Sequence, residues 1–65
     1  MDIAQARVEL ERHHASQSAA ITALHDLEEH SGDYLAIARV RKEDQARDAL
    51  REIGCPTCLG LADQP

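Results

Sequence analysis

The chain has 65 residues, a formal net charge of −5, and one Tyr with no Phe or Trp. This length allows one domain with a small core, and the near absence of aromatic residues argues against a β-sandwich or barrel. The acidic balance argues against direct binding to nucleic-acid phosphates. Because no apolar run could span a membrane and no secretory signal begins the chain, we expect a cytoplasmic protein.

The first predicted element is a single amphipathic helix over residues 2–30. Apolar or small residues recur at steps of three and four between Ile3 and Leu27, which places them on one side of a helix. Two polar residues, His13 and Gln17, interrupt this seam. Asp2 is the expected N-cap, and a left-handed Gly32 is the expected stop.

A second helix is predicted over residues 34–53, ended by Gly54 with Pro56 just beyond. Its core side is expected to carry Leu35, Ala38, Ala46, Ala49, Leu50 and Ile53. The fold class is therefore all-α: an antiparallel two-helix hairpin over residues 1–54, with a short Cys-x-x-Cys turn and tail at 55–65.

The hairpin alone leaves much apolar surface uncovered, so we expect a homodimer that forms a four-helix bundle. Ile37 and Val40 lie nearly opposite the core side of the second helix. This second apolar spot indicates contact with another chain.

The sharpest chemical motif is Cys55-Pro56-Thr57-Cys58, followed by Leu59-Gly60. Two cysteines at this spacing can bind one tetrahedral metal ion, and the motif resembles the knuckle of zinc ribbons. A ribbon has a second such pair, which this chain lacks, so other ligands are needed. In the predicted hairpin the cysteine pair lies about one or two turns from His13 and His14 of the same or the partner chain. Either histidine could bind, but adjacent helical residues point about 100° apart and are not expected to bind one ion together. Alternatively, Cys55 and Cys58 of two subunits form a four-cysteine site.

Other interpretations of the cysteine motif, and of a second cluster on the first helix, remain open. The same four residues resemble the active-site turn of thioredoxin-like oxidoreductases, and this resemblance implies thiol redox chemistry. Alternatively, the two cysteines are ordinary thiols, which stay reduced in the cytoplasm. Asp26, Glu29 and His30 are spaced to share a metal, although a histidine that interacts with the last carbonyls of the helix explains this cluster more simply.

The sequence shows no Ser/His/Asp or Cys/His arrangement typical of a catalytic site, and we expect no enzyme activity. We expect instead an acidic helical interaction module that regulates or inhibits a larger protein with a basic surface, such as a nucleic-acid-binding protein, by surface occlusion. The candidate partner-binding residues on the first helix are Glu9, Glu11, Asp26, Glu28 and Glu29. The alternatives are a zinc-binding regulatory protein and a thiol redox switch; without zinc, no cofactor is expected.

Overall fold

The computed structural model describes residues 1–64, apart from the side chain of residue 31. The expected all-helical class is confirmed, because these residues contain helices and turns but no strand. Helices α1 (Ile3–His13) and α2 (Ser18–His30) are followed by a 3₁₀ turn (Ser31–Asp33). Helices α3 (Ala36–Ile53) and α4 (Pro56–Ala62) follow. Pro65, the last residue of the predicted tail, lies outside the described residues.

The prediction of one helix over residues 2–30 is wrong, because the chain leaves the helix at residues 14–17. His14 has φ −138° and ψ 45°, although its N–H still donates to the Leu10 carbonyl at 2.9 Å. Helix α2 begins where the Gln17 carbonyl accepts a hydrogen bond from the Ile21 N–H at 3.0 Å. Serine favours helix caps over helix interiors, and Ser16 and Ser18 both lie at this break. The break lets α2 fold back over α1.

The four helices form a closed arrangement in which α1 packs on α2 and α4, and α3 packs on the same two helices. The Cα radius of gyration is 10.9 Å, close to the about 11 Å expected for a compact domain of this length. The buried core draws on all four helices and consists of Ala6, Leu10, Leu24, Leu27, Ala46, Leu50, Cys58, Leu61 and Ala62.

The apolar seams of the helices are thus covered within one chain, by four helices rather than by a two-helix hairpin and its copy. The reason for expecting a dimer was uncovered seam surface. That reason no longer applies to the core, and dimerisation stays a prediction that depends on other surfaces.

The ends of α3 and α4 show how the last segment joins the core. Gly54 has φ 73° and its N–H donates to the Leu50 carbonyl, which confirms the predicted stop of the second helix. Gly32, in contrast, does not take a positive φ. Helix α4 was not predicted; it begins with Pro56 after Cys55 as N-cap, and proline is favoured at the first helical position.

Polar side chains connect α2 to its neighbours at the surface. The Arg7 guanidinium donates to the Glu28 carboxylate across the α1–α2 contact and to Glu11 at 3.1 Å. The hydrogen bond from Arg7 lowers the pKa of Glu28. Before α3, the Tyr34 hydroxyl donates to Asp26 and lowers the pKa of that carboxyl. Lys42 lies 4.6 Å from the centre of the Tyr34 ring.

Two leucines of the α3 region test this packing. Leu50 is 0% exposed and Leu35 is 82% exposed. We expect Leu50→Ala to lower the free energy of unfolding by about 2–5 kcal/mol, since it leaves a cavity. The matched Leu35→Ala change should alter it by less than about 0.5 kcal/mol. Urea unfolding followed by circular dichroism measures both; similar losses would contradict this packing.

Candidate metal centre

Four potential metal ligands from opposite ends of the chain meet where α1 contacts α4. They are Glu9 in α1, His14 at its C-terminal end, and Cys55 and Cys58 at the start of α4. One ligand atom from each side chain lies within 4.8 Å of the ligand atom of every other. The arrangement is therefore compact enough to hold one metal ion.

The break after α1 explains how Glu9 and His14 reach the same place. In a continuous helix, residues five positions apart point about 140° away from each other around the axis. Because His14 has a non-helical φ and ψ, its ring is free of this restriction. The non-helical backbone of His14 therefore allows Glu9 and His14 to lie close enough to bind the same ion.

The cysteine pair is positioned by the turn between α3 and α4. Gly54 reverses the chain in the left-handed conformation, Cys55 caps α4, and Cys58 lies in its first turn. Helical residues three positions apart share one side of the helix. Both sulfurs consequently face the end of α1.

The two thiols differ in environment although they are three residues apart. Cys55 is half-buried, Cys58 is 0% exposed, and neither forms a disulfide. The side chain of Cys55 makes no capping hydrogen bond, yet the nearby backbone N–H of Cys58, the His14 side chain and the Thr57 N–H favour its thiolate. They lower the pKa of Cys55 to about 7.

Burial, followed by the negative charge of Cys55, raises the pKa of Cys58 to about 11. The charge of Glu9 acts in the same direction. The three potential anions thus repel one another in a partly buried place. A cation bound among them would remove this repulsion and favour both thiolates.

His14 supplies the one buried side-chain nitrogen or oxygen, among the described residues, that lacks a hydrogen-bond partner: its Nε2 atom. A buried polar group left without a partner costs about 1–3 kcal/mol. An imidazole nitrogen with a free lone pair is also a common metal ligand. Coordination of an ion through Nε2 would supply the partner that this atom lacks.

Comparisons with protein-family models, curated proteins and solved structures found no match to this chain. Among the described residues, no helix is both long and apolar enough to cross a membrane.

Three of the four residues named as metal ligands from the sequence lie in this group: Cys55, Cys58 and His14. His13 is exposed and lies outside it. Glu9 was assigned to the partner-binding surface, and its place beside the cysteines was missed. The one available signal was its position on α1 within two turns of His14.

The other residues proposed to contact a partner have different surroundings. Apart from Glu9, the acidic candidates are all engaged within the chain. Glu11 and Glu28 bind Arg7, Asp26 accepts from Tyr34, and Glu29 lies 2.9 Å from His25. Asp26 thus faces Tyr34 and is not in the metal-ligand group, nor are Glu29 and His30.

The apolar candidates remain open to contact. Ile37 and Val40 are 72% and 54% exposed, and Leu35, which was expected on the core side, is 82% exposed. Leu35 is the N-cap residue of α3, so it precedes the turns that pack on α2 and α4. These three residues form an exposed apolar surface, named here the α3 apolar surface.

The environment of Cys55 predicts its reactivity in metal-free protein. With a pKa of about 7, its thiolate fraction should rise through neutral pH, whereas Cys58 stays protonated and shielded. Alkylation by iodoacetamide, mapped by mass spectrometry, should modify Cys55 with a half-maximal rate near pH 7. The His14→Ala change should move this midpoint upward, because it removes one group that favours the thiolate. An unchanged midpoint would contradict this account.

Proposed function

We propose that this chain is a small zinc-binding regulatory protein in which one Zn²⁺ ties the end of α1 to the start of α4. The observation that carries the proposal is the mutual 4.8 Å limit among ligand atoms of Glu9, His14, Cys55 and Cys58. The unpartnered His14 Nε2 supports it independently.

The distances between the four ligand atoms fit a zinc ion if the ligand atoms move slightly closer together. Zinc–sulfur, zinc–nitrogen and zinc–oxygen bonds of about 2.0–2.3 Å place tetrahedral ligands about 3.3–3.8 Å apart. The widest pair, at no more than 4.8 Å, therefore needs to close by about 1 Å. Cys55 is the N-cap residue of α4 and Glu9 carries a long side chain within α1, so rotamer changes can supply this movement.

The ligand types favour zinc over the other common divalent ions. Two thiolates and an imidazole are soft or borderline ligands, whereas magnesium and calcium prefer a full set of oxygen atoms. Cys₂His sites with a further ligand fall within the range that zinc accepts. A carboxylate as the fourth ligand offsets the charge of the ion together with the two thiolates.

The role we propose for the ion is structural. Four protein ligands complete a tetrahedral shell, whereas catalytic zinc sites keep one position for water or substrate. The ligands come from the two ends of the sequence, so the ion would join segments more than forty residues apart. Binding would then add directly to the stability of a small core, in which nine of the described residues are buried.

Zinc should bind the reduced protein in equimolar amount and stabilise it. At a free zinc concentration 100 times the Kd, the free energy of unfolding should rise by about 2.7 kcal/mol. His14→Ala should weaken zinc affinity by at least about 100-fold, since even loss of an outer partner of a ligand costs about 10–100-fold. Competition with a chromophoric chelator measures the affinity.

Matched neighbours provide the controls for this measurement. His13→Ala and Glu11→Gln change the same residue types outside the ligand group, and both should leave zinc affinity within about threefold of the unaltered protein, the usual scatter of such effects. Equal losses in His13→Ala and His14→Ala, or no bound zinc in the reduced protein, would refute the site.

We infer secondly that the chain contacts a protein partner through the α3 apolar surface, with a second copy of the chain as the simplest partner. The observation that favours this function is the exposure of Leu35, Ile37 and Val40 at 82%, 72% and 54%. Contiguous exposed aliphatic side chains are typical of interaction surfaces. Apart from Glu9, the acidic candidates of α1 and α2 support this role less, since they are paired within the chain.

The α3 apolar surface can be tested without disturbing the core. A variant with Ile37→Gln and Val40→Gln should keep its free energy of unfolding within about 1 kcal/mol, because each exposed change costs little. If copies associate through this surface, sedimentation equilibrium should show a dimer for the unaltered protein and a monomer for the variant. A dimer of unchanged strength in the variant would place the contact elsewhere.

A further inference from the structure

We propose that Cys55 and Cys58 also form a thiol–disulfide exchange site for small-molecule disulfides, and that their oxidation to a disulfide releases the metal ion. The exchange reaction needs only the two cysteines. The release of metal rests on the zinc site proposed above.

The geometry places the two sulfurs within reach of each other. Their ligand atoms lie within 4.8 Å, and they belong to the N-cap and first turn of one short helix. A disulfide needs a sulfur–sulfur distance of about 2.05 Å and Cβ atoms about 3.5–4.5 Å apart. Cys55 has an extended backbone, with φ −64° and ψ 136°, so it is not held at the Cβ spacing of about 5–6 Å that helical residues three apart show, and the bond can form through a local adjustment of this N-cap residue.

The different exposure of the two cysteines determines which of them reacts first with a dissolved disulfide. Cys55 is half-buried and is followed by the exposed residues Pro56 and Thr57. Cys58 is 0% exposed and packs in the core. A dissolved disulfide can therefore reach the sulfur of Cys55 but not that of Cys58. Cys58 is placed to attack Cys55 from inside the protein, at an effective concentration that a dissolved thiol does not match.

The reaction balances with a low-molecular-weight disulfide as the oxidant. The Cys55 thiolate attacks one sulfur of that disulfide, forms a mixed disulfide and displaces the first small thiolate. In metal-free protein Cys58 gives its proton to water once the mixed disulfide has removed the negative charge of Cys55; the Cys58 thiolate then attacks the Cys55 sulfur, forms the protein disulfide and displaces the second small thiolate. The protein loses two electrons, the reagent gains them, and the zinc ion keeps its charge.

Oxidation removes the two strongest ligands of the proposed zinc site at once. A disulfide sulfur carries no negative charge, and the thiolate is the form that binds metal. Glu9 and His14 alone provide half of a tetrahedral shell, which is too little for a stable structural site. The redox state of the pair would thus control whether α1 and α4 are joined by the ion or only by their packing.

The experiment treats zinc-loaded and metal-free protein with oxidised glutathione under anaerobic conditions. A chromophoric chelator follows released zinc, and intact mass with peptide mapping identifies the products. We expect equimolar zinc release together with loss of the mass of two hydrogen atoms and a Cys55–Cys58 link. In samples quenched with acid at short times, any protein that carries glutathione should carry it on Cys55 and not on Cys58.

Variants separate the two chemical steps. Cys58→Ser should accumulate the mixed disulfide at Cys55, because the attacking second thiol is missing. Cys55→Ser should stay unmodified at Cys58 while circular dichroism shows it folded. The His13→Ala control should react as the unaltered protein does. First modification at Cys58 of the unaltered protein, or persistence of both thiols, would overturn the exchange site whether or not the variants fold.

The metal-free sample distinguishes failure of this inference from failure of the zinc site. A disulfide that forms in protein unable to bind zinc would overturn the zinc site and metal release while supporting exchange. Zinc that binds as proposed but stays bound after the disulfide has formed would overturn the release step alone.

Discussion

The core of this protein depends on the backbone leaving the helical conformation at His14. A continuous helix through residues 2–30 would keep the apolar side chains of α1 and α2 in one line, where Leu10 and Leu24 could not both be enclosed by one chain. The break allows α2 to return along α1, and both leucines are almost fully buried. The same departure from helical geometry turns the ring of His14 toward the cysteines. Fold and candidate site therefore have a common structural origin.

A chain of this size has little apolar surface with which to offset the entropy of folding. Among the described residues, its buried core holds five leucines, three alanines and one cysteine, and no aromatic side chain. Among small domains, metal ions or disulfides commonly add the stability that the core lacks. In this protein a bound metal ion and a disulfide would use the same two sulfur atoms, so the two cannot be present together. That competition is the physical basis for linking the oxidation of the cysteines to metal binding.

Much of the architecture follows from local sequence rules, and the exceptions have identifiable causes. Helix α3 and its stop at Gly54 were predictable from periodicity and capping. The break at residues 14–17 was missed because the apolar repeat resumes in register after His13 and Gln17, and the benefit of folding back is a tertiary effect. Helix α4 was missed because seven residues give too short a repeat to recognise. The cysteines and His14 were identified by their chemistry, whereas Glu9 joins them only through the packing of α1 on α4.

Tyr34 is the only aromatic residue of the chain, and it lies where Asp26 of α2 and Lys42 of α3 converge. Its near-ultraviolet absorption and emission therefore come from a single known location, without overlap from tryptophan. The protein consequently carries a native optical label at the junction of α2 and α3, far along the chain from the cysteines. Signals from that label report on the helical framework, so changes confined to the thiols and changes of the whole framework can be read separately in unlabelled material.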